Sequence, residues 1–307
     1  MRKGEDGLGG GPGAGSDASG NLGGRAGGGI LPVQGNVLSE ADFGRLSRFI
    51  ESELGIRMPD TKRIMLESRL QKRIRHFGFP GFREYVDFVF SDEGRQSELI
   101  NMIDAVTTNK TDFFREPDHF EFLVEKVLPA WIASNGGTMS FWSAGCSTGE
   151  EPYTLAMVLE EFRSANPRFD YRIFASDLST QVLEKAATAI YDEEKAAPIP
   201  MSYKKRYLLR SKDSSRSQVR VKPELRAKVS FARINFMDAS YPVEGKFDVV
   251  FCRNVIIYFE RRIQEAILRK ICGHIRSGGW LILGHSETLT GMDMPLKGVA
   301  PTIYARQ

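Results

Sequence analysis

Residues 141–153 read Phe-Trp-Ser-Ala-Gly-Cys-Ser-Thr-Gly-Glu-Glu-Pro-Tyr, and this segment carries most of the functional information in the chain. An apolar strand leads into a turn with glycines at 145 and 149, and two carboxylates follow where a helix should begin. This order of strand, glycine-rich loop and helix opens the ligand-binding sheets of doubly wound proteins. A phosphate ligand favours a bare or basic helix start. Glu150 and Glu151 instead predict a ligand with an ammonium or sulfonium group, and S-adenosylmethionine is such a ligand.

Size and composition limit the class of protein. The 307 residues, 41% of them hydrophobic and 26% charged, predict one large domain or two smaller ones with buried cores. The formal net charge of +3 is too small to favour a nucleic-acid partner by itself. Three cysteines, an odd number, do not suit a secreted disulfide framework and favour the reducing cytoplasm. No run of about 18 apolar residues occurs, so no membrane insertion is expected.

The chain up to residue 136 predicts helices and no strand. Residues 1–35 hold 14 of the 30 glycines and are expected to form a disordered tail. An N-terminal helical domain is predicted over 36–106; its first helix is capped by Ser39 and ends at glycine 55, and a basic helix follows over 60–77. The apolar stripe of the basic helix is predicted to contain Ile64, Leu70, Ile74 and Phe77. A linker and a leading helix follow over 107–136.

From residue 137 to 307, apolar runs alternate with helical stretches, which predicts a parallel sheet. A polar, basic segment at about 191–228 interrupts the pattern and contains a short alternating strand. The last helix is predicted over about 260–275, and the last strand near 302–305. The predicted fold is therefore α/β: a doubly wound sheet with an N-terminal helical domain and a small inserted antiparallel β subdomain.

Polar residues follow each predicted strand, where doubly wound sheets bind their ligands. Asp177 follows the second strand and suits the two hydroxyls of a ribose, or it caps the next helix. Asn235 suits an adenine edge, or it caps a turn. Arg253 and Asn254 suit the methionine end of the same ligand. Tyr258 offers an aromatic face and a hydroxyl at the cleft, or it packs in the core.

Five motifs stand in order along the chain. They read Val-Thr-Thr-Asn-Lys-Thr-Asp-Phe-Phe-Arg-Glu, Ser-Ala-Gly-Cys-Ser-Thr-Gly-Glu-Glu-Pro-Tyr, Phe-Ala-Ser-Asp, Phe-Cys-Arg-Asn-Val-Ile-Ile-Tyr-Phe and Gly-His-Ser-Glu. Together they resemble the chemotaxis-receptor glutamate O-methyltransferase family (CheR type) over about residues 38–306. The resemblance implies an S-adenosylmethionine-dependent methyltransferase domain over 137–307. It implies methylation of glutamate side chains on the cytoplasmic helical domain of chemoreceptors during sensory adaptation, with S-adenosylhomocysteine as the second product.

The same resemblance implies roles for individual residues. The cofactor pocket would contain Asn109, Thr111, Arg115, Gly145, Glu151, Asp177, Asn235, Phe236, Arg253 and Asn254. Arg115 and Tyr258 would lie beside the transferring methyl group as the catalytic residues. A glutamate side chain titrates near about 4.3, so it is ionised at neutral pH and needs no general base.

The basic helix over 60–77 has two interpretations. It is either a solvated face or a surface that attracts an acidic receptor segment through Arg69, Lys72 and Arg75. The resemblance also implies that the inserted subdomain binds a receptor tail peptide in some family members, although residues 211–217 here are polar and lack glycine. The spacing of the four histidines predicts structural roles and no metal site.

Two other functions stay open at this point. A nucleic-acid methyltransferase of the same fold would hold phosphates with the basic helix, but residues 253–256 lack the prolines that project a base-binding aromatic side chain. A non-catalytic adaptor would bind S-adenosylmethionine or receptors without turnover. Release of the methyl group by mild alkali distinguishes an ester from an N-methyl product.

Overall fold

The computed structural model describes residues 37–134, 136–213 and 215–307, and the tail predicted over 1–35 lies outside them. The described residues belong to one unit, Gly35–Gln307, in which helices come first and a sheet follows. Among these residues, no helix is both long and apolar enough to cross a membrane. The predicted domain boundaries stay a prediction.

Helices fill the chain before the first strand. Their bounds are α1 Glu40–Leu54, α2 Arg63–Phe77, α3 Phe82–Phe90, α4 Asp92–Ser97, α5 Leu99–Val106, α6 Asp118–Phe122 and α7 Leu128–Ser134. Ser39 caps α1 by accepting a hydrogen bond from the Asp42 amide, and Gly55 ends the helix in the left-handed conformation. Both ends of α1 are therefore confirmed. A π-helical segment, Leu123–Val127, joins α6 to α7.

The buried face of α2 differs from the predicted stripe. Leu66, Leu70 and Ile74 are buried, whereas Ile64 is 77% exposed and Phe77 is 37% exposed. Residues two apart in an α-helix differ by about 200° around its axis, so a buried line at 66, 70 and 74 turns position 64 towards solvent. The prediction that Ile64 belongs to the apolar stripe is wrong. An exposed isoleucine therefore lies among the basic side chains of α2.

Strands and helices alternate through the rest of the chain. The strands are β1 Gly137–Ala144, β2 Phe169–Asp177, β3 Ile190–Asp192, β4 Leu208–Arg210, β5 Gln218–Val221, β6 Val229–Arg233, β7 Phe247–Cys252, β8 Ile275–Leu283, β9 Leu296–Ala300 and β10 Ile303–Arg306. The helices are α8 Glu150–Ala165, α9 Thr180–Thr188, α10 Met201–Tyr207, α11 Pro223–Arg226 and α12 Arg261–Gly273.

The main sheet has seven strands in the order β6-β2-β1-β7-β8-β10-β9. Strand β1 is parallel to β2 and to β7, while β10 is antiparallel to β8 and to β9. The strand order reverses between β1 and β7, and such a reversal opens a crevice at the carboxyl ends of the two strands. Strands β3, β5 and β4 form a separate antiparallel sheet. The predicted fold class, including its inserted subdomain, is confirmed.

The C-terminal elements differ from the prediction in two places. The helix predicted to end at residue 275 ends at Gly273, as α12. Ile275 is instead the first residue of β8, and its side chain is fully buried. Strand β9 was not predicted. Its residues are mostly exposed at the edge of the sheet, so they lack the apolar run that marks a buried strand.

Among the hydrogen bonds that join the helical region to the sheet region, two sets lie near the crevice. Asp104 in α5 accepts hydrogen bonds from the amide and the hydroxyl of Thr180, at 3.0 and 2.8 Å, at the start of α9. The Arg57 amide, in the loop after α1, donates to the Tyr258 carbonyl at 3.0 Å in the loop after β7. Residues from both regions therefore meet around the carboxyl ends of the central strands.

Candidate functional site

A cavity lies at the carboxyl ends of β1, β2 and β7, where the strand order reverses. The ends of α1 and α2, the linker after α5 and the loop after β7 complete its wall. The eleven residues predicted for cofactor binding and catalysis all line this cavity: Asn109, Thr111, Arg115, Gly145, Glu151, Asp177, Asn235, Phe236, Arg253, Asn254 and Tyr258. The cavity is therefore the candidate site.

The loop after β1 requires glycine at position 145. Gly145 has φ +86°, and its amide and that of Cys146 both donate to the Ser176 carbonyl, at 2.8 and 2.9 Å. A Cβ atom at position 145 would come within 2.3 Å of Val255 Cγ2. The loop after β1 therefore packs directly on the loop after β7, and a residue without a side chain is needed at the contact.

Asp177 ends β2 with its carboxylate held by backbone amides. Its two oxygens accept hydrogen bonds from the amides of Ser147 at 2.8 Å and Ser179 at 3.0 Å. Helix α9 is capped by Ser179, so the alternative in which Asp177 caps this helix is wrong. Burial raises the pKa of Asp177, and these amides oppose the rise. The two oxygens together offer about four lone-pair positions, so the carboxylate keeps acceptor capacity for a ligand.

Arg253 lies at the centre of a buried ion-pair network. Its side chain is 2% exposed, and its guanidinium lies 3.1 Å from Glu116 Oε2 and 3.5 Å from Glu151 Oε2. It also donates to the Arg115 carbonyl and lies 5.3 Å from the centre of the Phe120 ring. Burial raises the pKa of Glu151, while Arg253 partly offsets this effect. The network keeps Glu151 at the wall of the cavity, where Arg253 partly neutralises its negative charge.

Glu287 shapes the loop after β7. Its buried carboxylate accepts hydrogen bonds, at 2.7–2.9 Å, from four backbone amides: Asn254, Val255, Ile256 and Gly284. Asn254 has φ +58°, and its side chain donates to Glu116 Oε1 at 3.2 Å. A hydrogen bond to a charged group contributes about 1.5–3 kcal/mol. Glu287 therefore fixes the backbone that presents Arg253 and Tyr258 to the cavity.

Asn235 uses part of its side chain within the protein. Its Nδ2 donates to the Glu53 carbonyl at 2.8 Å, and its Oδ1 accepts from the Met237 amide at 3.0 Å. The second contact is the turn-capping role that the sequence left open. One N–H and one lone pair remain for a ligand. Phe236, next in the chain, is 7% exposed and contributes an apolar surface to the same wall.

The linker between α5 and α6 forms the opposite wall, and Arg69 of α2 holds it in place. The Arg69 guanidinium donates to the carbonyls of Val106 and Thr107, the latter at 2.7 Å, and to Thr108 Oγ1 at 2.9 Å. The sequence predicts a receptor contact for Arg69; three of its five N–H donors bind the linker, and the receptor contact stays a prediction. Lys72 and Arg75, the other two predicted contacts, are exposed.

The linker is also fastened to the loop after β1. The Ser147 hydroxyl donates to the Asn109 carbonyl at 2.9 Å, and Lys195 donates to the Thr111 carbonyl. Arg115, at the end of the linker, donates to the Lys110 carbonyl at 3.2 Å and keeps 35% of its side chain exposed. Arg115 is therefore a partly exposed cationic side chain of this wall.

The two glutamates at the start of α8 face different environments. Glu151 lines the cavity, whereas Glu150 is 1% exposed and does not. Glu150 accepts a hydrogen bond from Thr148 Oγ1 at 2.6 Å and lies 3.9 Å from Lys195 Nζ. Burial raises the pKa of Glu150, which a hydrogen bond from Thr148 opposes. Only the second carboxylate of the pair is placed to meet a ligand in the cavity.

A group of potential metal ligands lies behind the cavity. Glu116, His119 and His285 offer ligand atoms within 4.8 Å of one another. However, the Arg253 guanidinium lies 3.1 Å from Glu116 Oε2, and His285 Nε2 lies 3.0 Å from Asp118 Oδ2. A guanidinium so close to the shared carboxylate repels a divalent cation. We interpret the group as part of the ion-pair network.

Sequence reasoning missed the residues that the helical region adds to the cavity. They are Leu54, Ile56, Met58, Lys62 and Met65. Local pattern gives no signal for the four apolar ones, because an apolar residue that lines a cavity and one that fills a core look alike in sequence, and Lys62 looks like the other cations of the basic helix. Glu116 and Glu287 were also missed as parts of the site. Glu116 ends the first of the five motifs and Glu287 ends the last, so their positions in these motifs could have indicated them.

Comparison with known proteins matches two family models to the chain. The model "CheR methyltransferase, all-alpha domain" matches residues 41–107, and "CheR methyltransferase, SAM binding domain" matches residues 109–304. A chemotaxis protein methyltransferase of Borreliella burgdorferi is 36% identical and covers 88% of this chain and 95% of that protein. Those of Escherichia coli and Klebsiella aerogenes are 37% and 39% identical and cover 88% and 87% of this chain, and 92% and 90% of their own lengths.

Proposed function

Since this chain belongs to the CheR methyltransferase family, we propose that it methylates glutamate side chains on the cytoplasmic helical domain of chemoreceptors. S-adenosylmethionine is the methyl donor, and the products are glutamyl methyl esters and S-adenosylhomocysteine. The relatives named chemotaxis protein methyltransferase support this role in sensory adaptation. A receptor domain in the cytoplasm requires the enzyme to act there.

The cavity lining suits S-adenosylmethionine, and this observation carries the proposal. Glu151 presents a carboxylate suited to the ammonium group of the methionine part, and Asp177 presents one suited to the ribose hydroxyls. Asn235 and Phe236 provide the hydrogen-bonding and apolar surfaces that an adenine needs. The start of α8 carries Glu150 and Glu151 instead of a basic residue, which disfavours a nucleotide bound through phosphate.

The proposed chemistry needs positioning more than proton transfer. Bound S-adenosylmethionine supplies a methyl group on a sulfonium centre. The acceptor glutamate titrates near about 4.3, so it arrives ionised. Holding the reacting groups in line can supply on the order of 7–11 kcal/mol. We assign that task to Arg115, through a loose contact with the acceptor carboxylate, because a tight ion pair would stabilise the reactant more than the transition state. Tyr258 shields the same position from water.

The exposed face of α2 is the proposed docking surface for the receptor. Lys72 and Arg75 are exposed there, and Ile64, which is 77% exposed, lies about two to three turns earlier on the same helix. A basic surface with an apolar side chain suits an acidic, amphipathic receptor helix. The charge reversals Lys72→Glu and Arg75→Glu should lower kcat/KM most at low salt, while Arg83→Glu on α3 serves as the exposed control. Equal effects of all three variants would contradict this surface.

A receptor tail peptide is a second proposed contact, on the small sheet. Strands β3 and β4 are the edges of that sheet, so an extended peptide can pair with either one. Titration calorimetry with the tail peptide of a cognate receptor tests this contact. Absence of binding heat would limit receptor recognition to α2.

The deciding experiment uses labelled S-adenosylmethionine and cytoplasmic receptor fragments, followed by release of the label in mild alkali. The proposal expects base-labile label in the receptor. Asp177→Ala should abolish it, whereas Asp170→Ala, at the opposite end of β2, should not. Base-stable label would indicate N-methylation, and cofactor binding without any transfer would indicate an adaptor. Either result would overturn the proposal.

A further inference from the structure

His119 is a fully buried histidine that the proposed chemistry does not use. It is the second residue of α6, next to Phe120, which lines the cavity, and its side chain is 0% exposed. Its Nε2 lies 2.9 Å from Thr302 Oγ1, in the turn between β9 and β10. Its Nδ1 has no hydrogen-bond partner within the described part of the chain and faces Glu116 Oε2 at 3.5 Å.

The charge around the ring decides which nitrogen carries the proton. Burial, followed by the nearby Arg253 guanidinium, lowers the pKa of His119 to about 4, so the ring is neutral at neutral pH and carries one proton. A lone pair on Nδ1 would face a carboxylate oxygen and be repelled by it. A proton on Nδ1 is attracted instead, and the Thr302 hydroxyl then donates to Nε2.

Glu116 is the residue through which this proton acts. Its Oε2 binds Arg253 and its Oε1 binds Asn254, and both partners line the cavity. The Glu116 backbone has φ +54°, a conformation that needs support from its surroundings in a residue other than glycine. Its side chain therefore needs a fixed orientation to serve both partners at once.

We propose that Thr302 and His119 act as positioning residues for the cofactor: the Thr302 hydroxyl donates to Nε2 and so supports the tautomer that carries its proton on Nδ1, and this proton orients Glu116 towards Arg253 and Asn254. This inference rests on the proposed function, because it assumes that the cavity binds S-adenosylmethionine. It assigns the C-terminal hairpin a part in ligand binding, although Thr302 does not line the cavity.

A matched pair of substitutions separates this role from simple packing. The side-chain nitrogen of asparagine stands near the position of Nδ1, and that of glutamine reaches the position of Nε2. His119→Asn therefore keeps a donor towards Glu116, and His119→Gln keeps a polar contact with Thr302 only. The measurement is the Kd of S-adenosylhomocysteine by titration calorimetry, with thermal unfolding as the check on folding.

We expect His119→Asn to bind within about threefold of the unaltered protein and His119→Gln to bind about tenfold more weakly, since only the latter loses a donor to a charged acceptor. Equal affinities for the two variants, whether weakened or not, would overturn the inference, as would the reverse order. Failure of the unaltered protein to bind the ligand would instead refute the proposed function.

A second pair of variants keeps the inference testable if either change at position 119 prevents folding. Thr302→Ser keeps the hydroxyl that donates to Nε2, and Thr302→Val removes it with little change in shape. We expect unchanged affinity for the serine variant and several-fold weaker binding for the valine variant. Unchanged affinity in Thr302→Val would overturn the part assigned to Thr302.

Discussion

Acidification should destabilise this protein through His119. The pKa of this histidine is lowered from an ordinary value of 6.5 to about 4, first by burial and then by the charge of Arg253. Between these values, the unfolded chain binds a proton that the folded protein does not bind. The free energy of unfolding therefore falls as the pH falls below about 6.5, and it stops falling below about 4.

The magnitude follows from the gap of about 2.5 between the two pKa values, each unit of which corresponds to about 1.4 kcal/mol. The full loss is about 3 kcal/mol, and about 2 kcal/mol of it is expected by pH 5. Other groups also titrate in this range, and Glu116, Asp118 and His285 lie close enough to influence the ring. A variant without the imidazole is needed to isolate its contribution.

Urea denaturation of the unaltered protein and of His119→Asn, at several pH values from 7 to 5, supplies the measurement. The variant should be less stable at pH 7, and its disadvantage should shrink by about 2 kcal/mol at pH 5, because asparagine does not titrate. The same slope of stability against pH in both proteins would refute the reasoning. It would mean that the ring takes up its proton without cost in the folded state.

Three further predictions concern the loops around the cavity. Glu287→Gln should lower the free energy of unfolding, measured by urea denaturation, by about 3–6 kcal/mol, because an amide nitrogen replaces an oxygen that accepts two backbone hydrogen bonds. A loss below about 1 kcal/mol would contradict this prediction. Gly145→Ala should weaken S-adenosylhomocysteine binding at least tenfold in calorimetry. Adding Val255→Ala should restore part of the lost affinity, because it removes the methyl group that the new Cβ atom would overlap. No recovery would show that this overlap does not cause the weaker binding. Arg115→Ala should reduce turnover about a hundredfold and raise the Kd of S-adenosylhomocysteine only slightly, and unchanged turnover would remove Arg115 from the mechanism.

The sequence predicted the cavity residues well because their positions follow from topology. Asp177, Asn235 and Arg253 each come directly after a strand, and parallel strands bring their carboxyl ends to one edge of the sheet. Asn109 and Arg115 lie in a linker, which carries no such geometric signal. The family resemblance indicated them, and the structure brings them to the same cavity.

The sequence could not predict interactions between distant side chains. Arg69 looked like a surface cation in a basic helix, and its bonds to the linker depend on how α2 packs against α5. Glu287 reaches the loop after β7 across 31–33 residues of chain. Ile64 was assigned to the wrong face because a helix with few apolar residues fits more than one stripe, and only tertiary packing selects the buried one.

The contact between Arg57 and Tyr258 has a thermodynamic consequence. It joins the helical region to the sheet region at the rim of a cavity that both regions line. A small molecule held between them touches both, so its binding free energy also opposes their separation. Ligand occupancy and resistance to proteolysis in the linker should therefore rise together, and each gives an independent measure of the other.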